Sequence, residues 1–312
     1  MLNLVRCTTA GAAFAYAGAA LAQAVGFATL PPGSLNHTTA SAVAKVLKEK
    51  AGINMLVQPT AGDNVIIPMV NRGESTMGIA NAPETAMAIK EAKQSDVRLI
   101  AVAHTLQTAF FVRKDSGLRR IADMKSRRVE LGYSAMRTID LLTRAILATA
   151  GLTERDVRAV LVPNVVRGAD DFASGASDMF FFAFGGPKVR EIDASLPLRV
   201  LEIDEKGMAA ARKITPYGFL TQVQPGPIYI GVEQPMKVYS FDNLFLTNNK
   251  VPDDLVYKIL DTLEKNKPDL VAVQPVLRAF SAAGGYKQYD MPYHPGALKY
   301  YEEHKLQPKP LD

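Results

Sequence analysis

The sequence predicts an α/β protein whose strands are covered by helices on both faces, and three observations predict it. Short β-rich runs alternate with segments of helical periodicity along the chain. The helical segments open and close on residues suited to helix ends. No fixed-period repeat and no low-complexity linker divides the 312 residues, a length that suits two compact units.

Strands are expected at 25–30, 53–58, 76–80, 98–104, 108–113, 128–132, 158–162, 178–183, 199–203 and 237–247. Helices are expected at 36–50, 64–72, 83–93, 137–150, 168–174, 186–195 and 253–266. Such a βαβ rhythm implies largely parallel strands. In 36–50, Ala40, Val43, Ala44 and Leu47 form an apolar stripe, and Gly52 supplies the stop. In 137–150 the stripe is Ile139, Leu142, Ile146 and Leu147, with Gly151 beyond it. Pro83 suits a first helical turn because its missing N–H leaves no bond unmade. Pro252 with Asp253 and Asp254 opens 253–266, where acidic side chains match the helix dipole. Residues 215–235, rich in Gly and Pro and carrying Tyr217 and Tyr229, read as an irregular stretch, functional or mobile rather than a plain connection.

The composition is globular, at 48% hydrophobic and 21% charged residues, which excludes a disordered or collagen-like chain. A net charge of +5 without a basic run gives no argument for nucleic acid. After Arg6 no acidic or basic side chain occurs until Lys45. Arg6, the apolar stretch from Ala10 to Ala22 and the small-x-small sequence Ala22-Gln23-Ala24 match a cleaved export signal, residues 1–24. That stretch is short for a span of the roughly 30 Å hydrocarbon core. Cleavage after Ala24 removes Arg6 and the single Cys7, leaving a thiol-free chain of net charge +4, expected in the periplasm.

In an open α/β sheet, ligands bind beyond the C-terminal strand ends, where helix N-termini point. Four strand–helix junctions would line such a crevice. They carry Ser34 and His37, then Thr60, Asp63 and Asn64, then Asn81, and lastly Tyr133, Ser134, Arg137 and Thr138. Hydroxyls and free backbone N–H groups there suit a carboxylate, and Arg137 adds a planar fork for one. Taken singly, each of these residues is also an ordinary helix cap. In Phe180-Phe181-Phe182-Ala183-Phe184-Gly185, the first three rings read as core, while Phe184 and Gly185 leave the strand end as wall of the site, with Tyr217 nearby. No Walker or dinucleotide loop, His-Glu-x-x-His or Cys-x-x-Cys spacing occurs, and the four histidines are scattered. No metal, cofactor or catalytic group is therefore expected. Two alternatives stand beside binding: an enzyme using Ser34, His37 or Glu84, or a sensor for a membrane partner.

These landmarks resemble a family. Pro59-Thr60-Ala61-Gly62-Asp63-Asn64, Asp123-Met124-Lys125-Ser126-Arg127-Arg128-Val129, Asp178-Met179-Phe180-Phe181-Phe182 and His294-Pro295-Gly296-Ala297-Leu298-Lys299-Tyr300-Tyr301 are similar to TAXI-type solute-binding proteins of tripartite ATP-independent periplasmic (TRAP) transporters. The resemblance runs from about residue 27 to 304 and implies a type II periplasmic-binding fold, two α/β lobes joined by crossing strands around a ligand cleft. Crossings near 108–114 and 237–247 would make lobe 1 from 25–112 and 238–312, and lobe 2 from 113–237. It also implies a monomeric, non-enzymatic receptor that delivers a small organic anion (a dicarboxylate, 2-oxoacid or acidic amino acid) to an ion-coupled TRAP permease. The sequence departs from the family at Pro31-Pro32-Gly33-Ser34, at Asn81 in place of Gln, and at Ala135-Met136-Arg137-Thr138 in place of Ser-Gly-Thr. Those positions meet the ligand in the family, so its identity does not carry over.

Overall fold

A computed structural model describes residues 25–215 and 217–311; the expected export signal lies outside them. The first half opens β1 (Val25–Thr29), α1 (Leu35–Ala51), β2 (Met55–Pro59), α2 (Asp63–Asn71), β3 (Met77–Asn81) and α3 (Ala82–Lys90). A long strand, β4 (Val97–Arg113), leads to β5 (Arg128–Leu131), α4 (Arg137–Thr149), β6 (Arg158–Leu161), α5 (Val165–Ala173), β7 (Phe180–Ala183), α6 (Pro187–Ser195), β8 (Leu198–Val200), α7 (Met208–Ile214) and β9 (Phe219–Val223). A second long strand, β10 (Met236–Asn248), returns the chain to α8 (Asp253–Lys265), α9 (Lys267–Val273), α10 (Ala282–Gly285) and α11 (Pro295–Glu303).

The main sheet runs β2-β1-β3-β10-β4-β7, with β9 beside β10 and β8 beside β4. The expectation of largely parallel strands is corrected here. β1 is parallel to β2 and β3, and β5 to β6, but β10 lies antiparallel to β3, β4 and β9, and β4 antiparallel to β7 and β8. The reason is topological. Each βαβ unit gives parallel neighbours, whereas β4 and β10 pass between the two halves in opposite senses and impose antiparallel pairing wherever they go. The start of β10 pairs with β9 and its end with β3, so one strand belongs to both halves. β4 absorbs both expected strands, 98–104 and 108–113, and continues through a register shift opposite Asn243 and Leu244.

Helix ends follow their residues. Gly52 closes α1 in the left-handed conformation at φ 68°, where a Cβ is strained. Pro83 lies in the first turn of α3 and Pro252 caps α8. The stretch 215–235 contains β9, and α7 precedes it; neither was expected from the sequence. The C-terminal helices α9, α10 and α11 were likewise not expected.

Two apolar cores form. One packs α1, α8 and α11 on the β1–β3 face around Phe27, Val43, Phe245, Leu260 and Tyr301. The other runs without a break from Ile66 and Val70 of α2, through Phe110 and Phe111 of β4, to Leu142, Phe172 and Phe180 in the second half. Apolar contact thus joins the halves, and no helix among the described residues is long and apolar enough to cross a membrane.

Candidate functional site

The helices α1, α3 and α4 begin at the boundary between the halves. Ser34 caps α1, its Oγ accepting from the His37 N–H at 3.1 Å. Asn81 caps α3, its Oδ1 accepting from the Glu84 N–H at 2.8 Å. The caps anticipated from residue type are therefore formed, and they also face a cavity. That cavity, of about 40 Å³, is walled by Ser34, Asn36, Asp63 and Asn81 on one side and by Met136, Ile139, Val165, Phe181 and Phe182 on the other. Leu106 and Thr108 of β4 and Phe241 of β10 form its floor.

Asp63 is the ionisable group of this wall. It is 2% exposed, and its Oδ2 accepts from Asn81 Nδ2 at 2.5 Å while Oδ1 has no partner. Burial, and secondarily the charge of Glu84, push its carboxyl up to about 8 against the Asn81 bond. Position at the start of α2 favours the ionised form, but desolvation outweighs it. Behind Asp63 a buried amide pair ties strand to helix, Asn243 Nδ2 donating to Asn36 Oδ1 at 2.6 Å.

Across the cavity, α4 has no cap of its own, since Met136 precedes it. Oε2 of Glu84 fills that role, accepting from the Thr138 N–H at 2.8 Å and from the Thr138 hydroxyl. Nearby, a Cβ on Gly62 would fall 1.6 Å from the Ala135 carbonyl oxygen. The Lys188 N–H donates to the Gly33 carbonyl at 3.2 Å. The two halves therefore meet through backbone as well as side chains.

The expected site residues divide accordingly. Ser34, Asp63 and Asn81 line the cavity, and Thr138 lies one bond away through Glu84. Thr60 bonds the Gly62 carbonyl at 3.3 Å, behind the turn. Asn64 and Ser134 are exposed, the amide of one reaching the carbonyl of the other at 3.5 Å. Arg137 is exposed and does not enter the wall, and His37 is half-buried in the first turn of α1, outside it. The only contact between Ser34 and His37 is a backbone cap, so no imidazole activates the hydroxyl there.

Tyr133 turns inward instead, its hydroxyl donating to the buried Glu130 at 3.2 Å. Phe180, Phe181 and Phe182 are core as expected, the latter two also bordering the cavity, while Phe184, expected as wall, packs edge-on against Phe111 and Tyr229 in the interior. Gly185, at φ 78°, does not line the cavity, and a Cβ there would meet Leu35 and Ile228 at 3.5 Å. Tyr217 packs 6.5 Å from Tyr289, whose hydroxyl bonds Asp242. Asp242 neighbours Phe241 on β10 and so faces the opposite side of the sheet from the cavity. Asn36, Thr108 and Glu84 are contributors that spacing did not single out for binding. Glu84 could have been suspected, because the third residue of a capped helix normally turns back to its own cap.

Among the described residues no group of three His, Cys, Asp or Glu side chains could hold a metal ion. The fold is shared with solved structures. A structure titled a periplasmic transporter superposes with a TM-score of 0.56 at 14% identity, over 90% of this chain and 92% of that one. An amino acid ABC transporter substrate-binding protein, AbpA from Streptococcus pneumoniae, bound to L-arginine, gives 0.51 at 12% identity over 81% and 94%. The alkanesulfonate-binding protein SsuA from Xanthomonas axonopodis pv. citri, bound to MOPS, gives 0.50 at 14% over 83% and 80%. These likenesses establish a two-lobed α/β fold of the periplasmic-binding-protein kind. The pattern of the NMT1-like family matches residues 27–304. With nearly all of the described chain inside that match, the protein belongs to the NMT1-like family.

Proposed function

We propose that the protein is a periplasmic solute-binding receptor that closes two lobes, 25–112 with 238–312 and 113–237, on a small solute and hands it to a membrane permease. The observation that carries this is the cavity walled by both halves at the starts of α1, α3 and α4. Capture needs no covalent chemistry, and the Ser34–His37 contact supplies none. The solved relatives named above, bound to L-arginine and to MOPS, support the reading. The TAXI-like motifs support a TRAP-type permease as the partner.

A second reading narrows the solute to an organic anion such as a dicarboxylate, 2-oxoacid or acidic amino acid. Arg137, exposed at the first turn of α4 beside the lobe boundary, favours it. The wall of the cavity itself offers an anion no basic side chain.

Mass spectrometry of solute released by denaturing the purified protein tests the receptor reading. A stoichiometric small molecule that raises the melting temperature on re-addition supports it. At one hundred times its dissociation constant, such a ligand stabilises by about 2.7 kcal/mol. Turnover of that molecule by the protein would overturn it in favour of an enzyme.

A further inference from the structure

We infer that the solute is held through a protonated amine donating to Oδ1 of Asp63. This rests on the receptor reading above and names the ligand class of the same cavity. Among the described residues, several buried polar atoms lack a partner, on Thr29, Thr39, Gln58, Asp63, His104 and Asn243. Only Asp63 of these belongs to the cavity wall. Its other oxygen is held by Asn81 at 2.5 Å, which leaves Oδ1 as the buried acceptor without a donor. A buried acceptor without a donor is costly, and an N–H cation is the partner that repairs it most strongly.

The remainder of the wall agrees. It carries Ser34, Asn36, Asn81 and Thr108 as neutral polar groups and no Lys, Arg or His. The first turn of α4, the natural seat for a carboxylate, is already held by Glu84 through the Thr138 N–H and hydroxyl. Asp63 is thus the acidic group on the solute side, and a cation fits beside it better than an anion. About 40 Å³ suits a head group of few heavy atoms.

Titration gives the test its sign. The charged group facing Asp63 is Glu84 on α3; α1 and β3 present Ser34, Asn36 and Asn81, and on α4 Arg137 is exposed. With its carboxyl raised to about 8, Asp63 is protonated at neutral pH before an amine binds and gives up that proton when one does. Methylammonium, which stays charged below about pH 9, is the probe, with acetate and pyruvate as anionic counterparts. Calorimetry of the full mature chain is expected to show methylammonium binding that tightens by about tenfold per pH unit between about pH 6 and 7.5. Asp63→Asn should abolish it, and should that variant fail to fold, the pH slope of the unaltered protein decides alone. Methylammonium affinity that is flat or falls with pH overturns the inference. So does acetate or pyruvate binding that weakens as pH rises, which would leave the receptor reading intact. Silence from every probe overturns the amine and leaves the receptor to be judged by the co-purified solute.

Discussion

Glu84 caps a helix that begins 53 residues after it: its Oε2 receives the Thr138 N–H at 2.8 Å across the boundary between the halves. The bond joins α3 of one half to α4 of the other and replaces the side-chain cap that Met136 cannot provide.

Removal of that cap should be felt in stability. Glu84→Ala is expected to cost about 1–2 kcal/mol, read as a lowered urea midpoint with an unchanged slope. Glu84→Gln keeps an acceptor for the Thr138 N–H and should lose less than half of that. Equal losses in the two variants would show that the charge, and not the cap, carries the effect.

Gly62 is constrained by space rather than by its backbone angle, since its φ of 179° is open to any residue. A Cβ would overlap the Ala135 carbonyl oxygen at 1.6 Å, and backbone cannot step aside as a flexible side chain could. Gly62→Ala should therefore hold the lobes apart. Small-angle scattering is expected to give a larger radius of gyration than for the unaltered protein, with a lower solute affinity. An unchanged radius would place the strain within α2 instead.

Two buried carboxyls make stability depend on pH. Asp63 and Glu130 are each raised to about 8, chiefly by burial, from ordinary values near 3.8 and 4.5. Between those limits the folded chain binds more protons than the unfolded one, so stability falls as pH rises and levels off above about 8. Glu130 sits between the Ser177 and Tyr133 hydroxyls, at 2.9 and 3.2 Å. Glu130→Gln should flatten part of the decline in melting temperature between pH 5 and about 8. A decline of undiminished steepness would remove Glu130 as its source.

Phe182 lies against Gly186 as well as against the cavity. Phe182→Ala should destabilise by about 3–5 kcal/mol, measured by chemical denaturation. A loss below about 1 kcal/mol would show that the neighbouring rings close over the gap.

Much of this was legible in the sequence because it is local. Ser34, Asn81, Pro83 and Pro252 fix helix ends through their own side chains or rings, and Gly52 through its freedom at positive φ, whatever the fold does around them. The cavity location followed from the rule for strand ends, and Ser34, Asp63 and Asn81 reach it. What escaped was long-range. Asn243 meets Asn36 across 207 residues of chain and Glu84 meets Thr138 across 54, and neither pairing leaves a periodic trace. Phe181 and Phe184 have the same chemistry, so which one faces the cavity is decided by the packing of Tyr229 and Phe111 around Phe184. The sense of β4 relative to β7 depends on where the chain returns, which no window of residues reports.

The cavity between the lobes has a consequence for timing. The Gly62–Ala135 approach and the Glu84–Thr138 bond hold the two sides of that cavity close, and its volume of about 40 Å³ leaves room for only a few heavy atoms. On the receptor reading proposed above, a larger solute enters only as those sides part, so at high concentration the capture rate should reach a plateau set by hinge opening. Release to a permease would be governed by the same clock, and a partner that prises those two contacts open would set the pace of delivery.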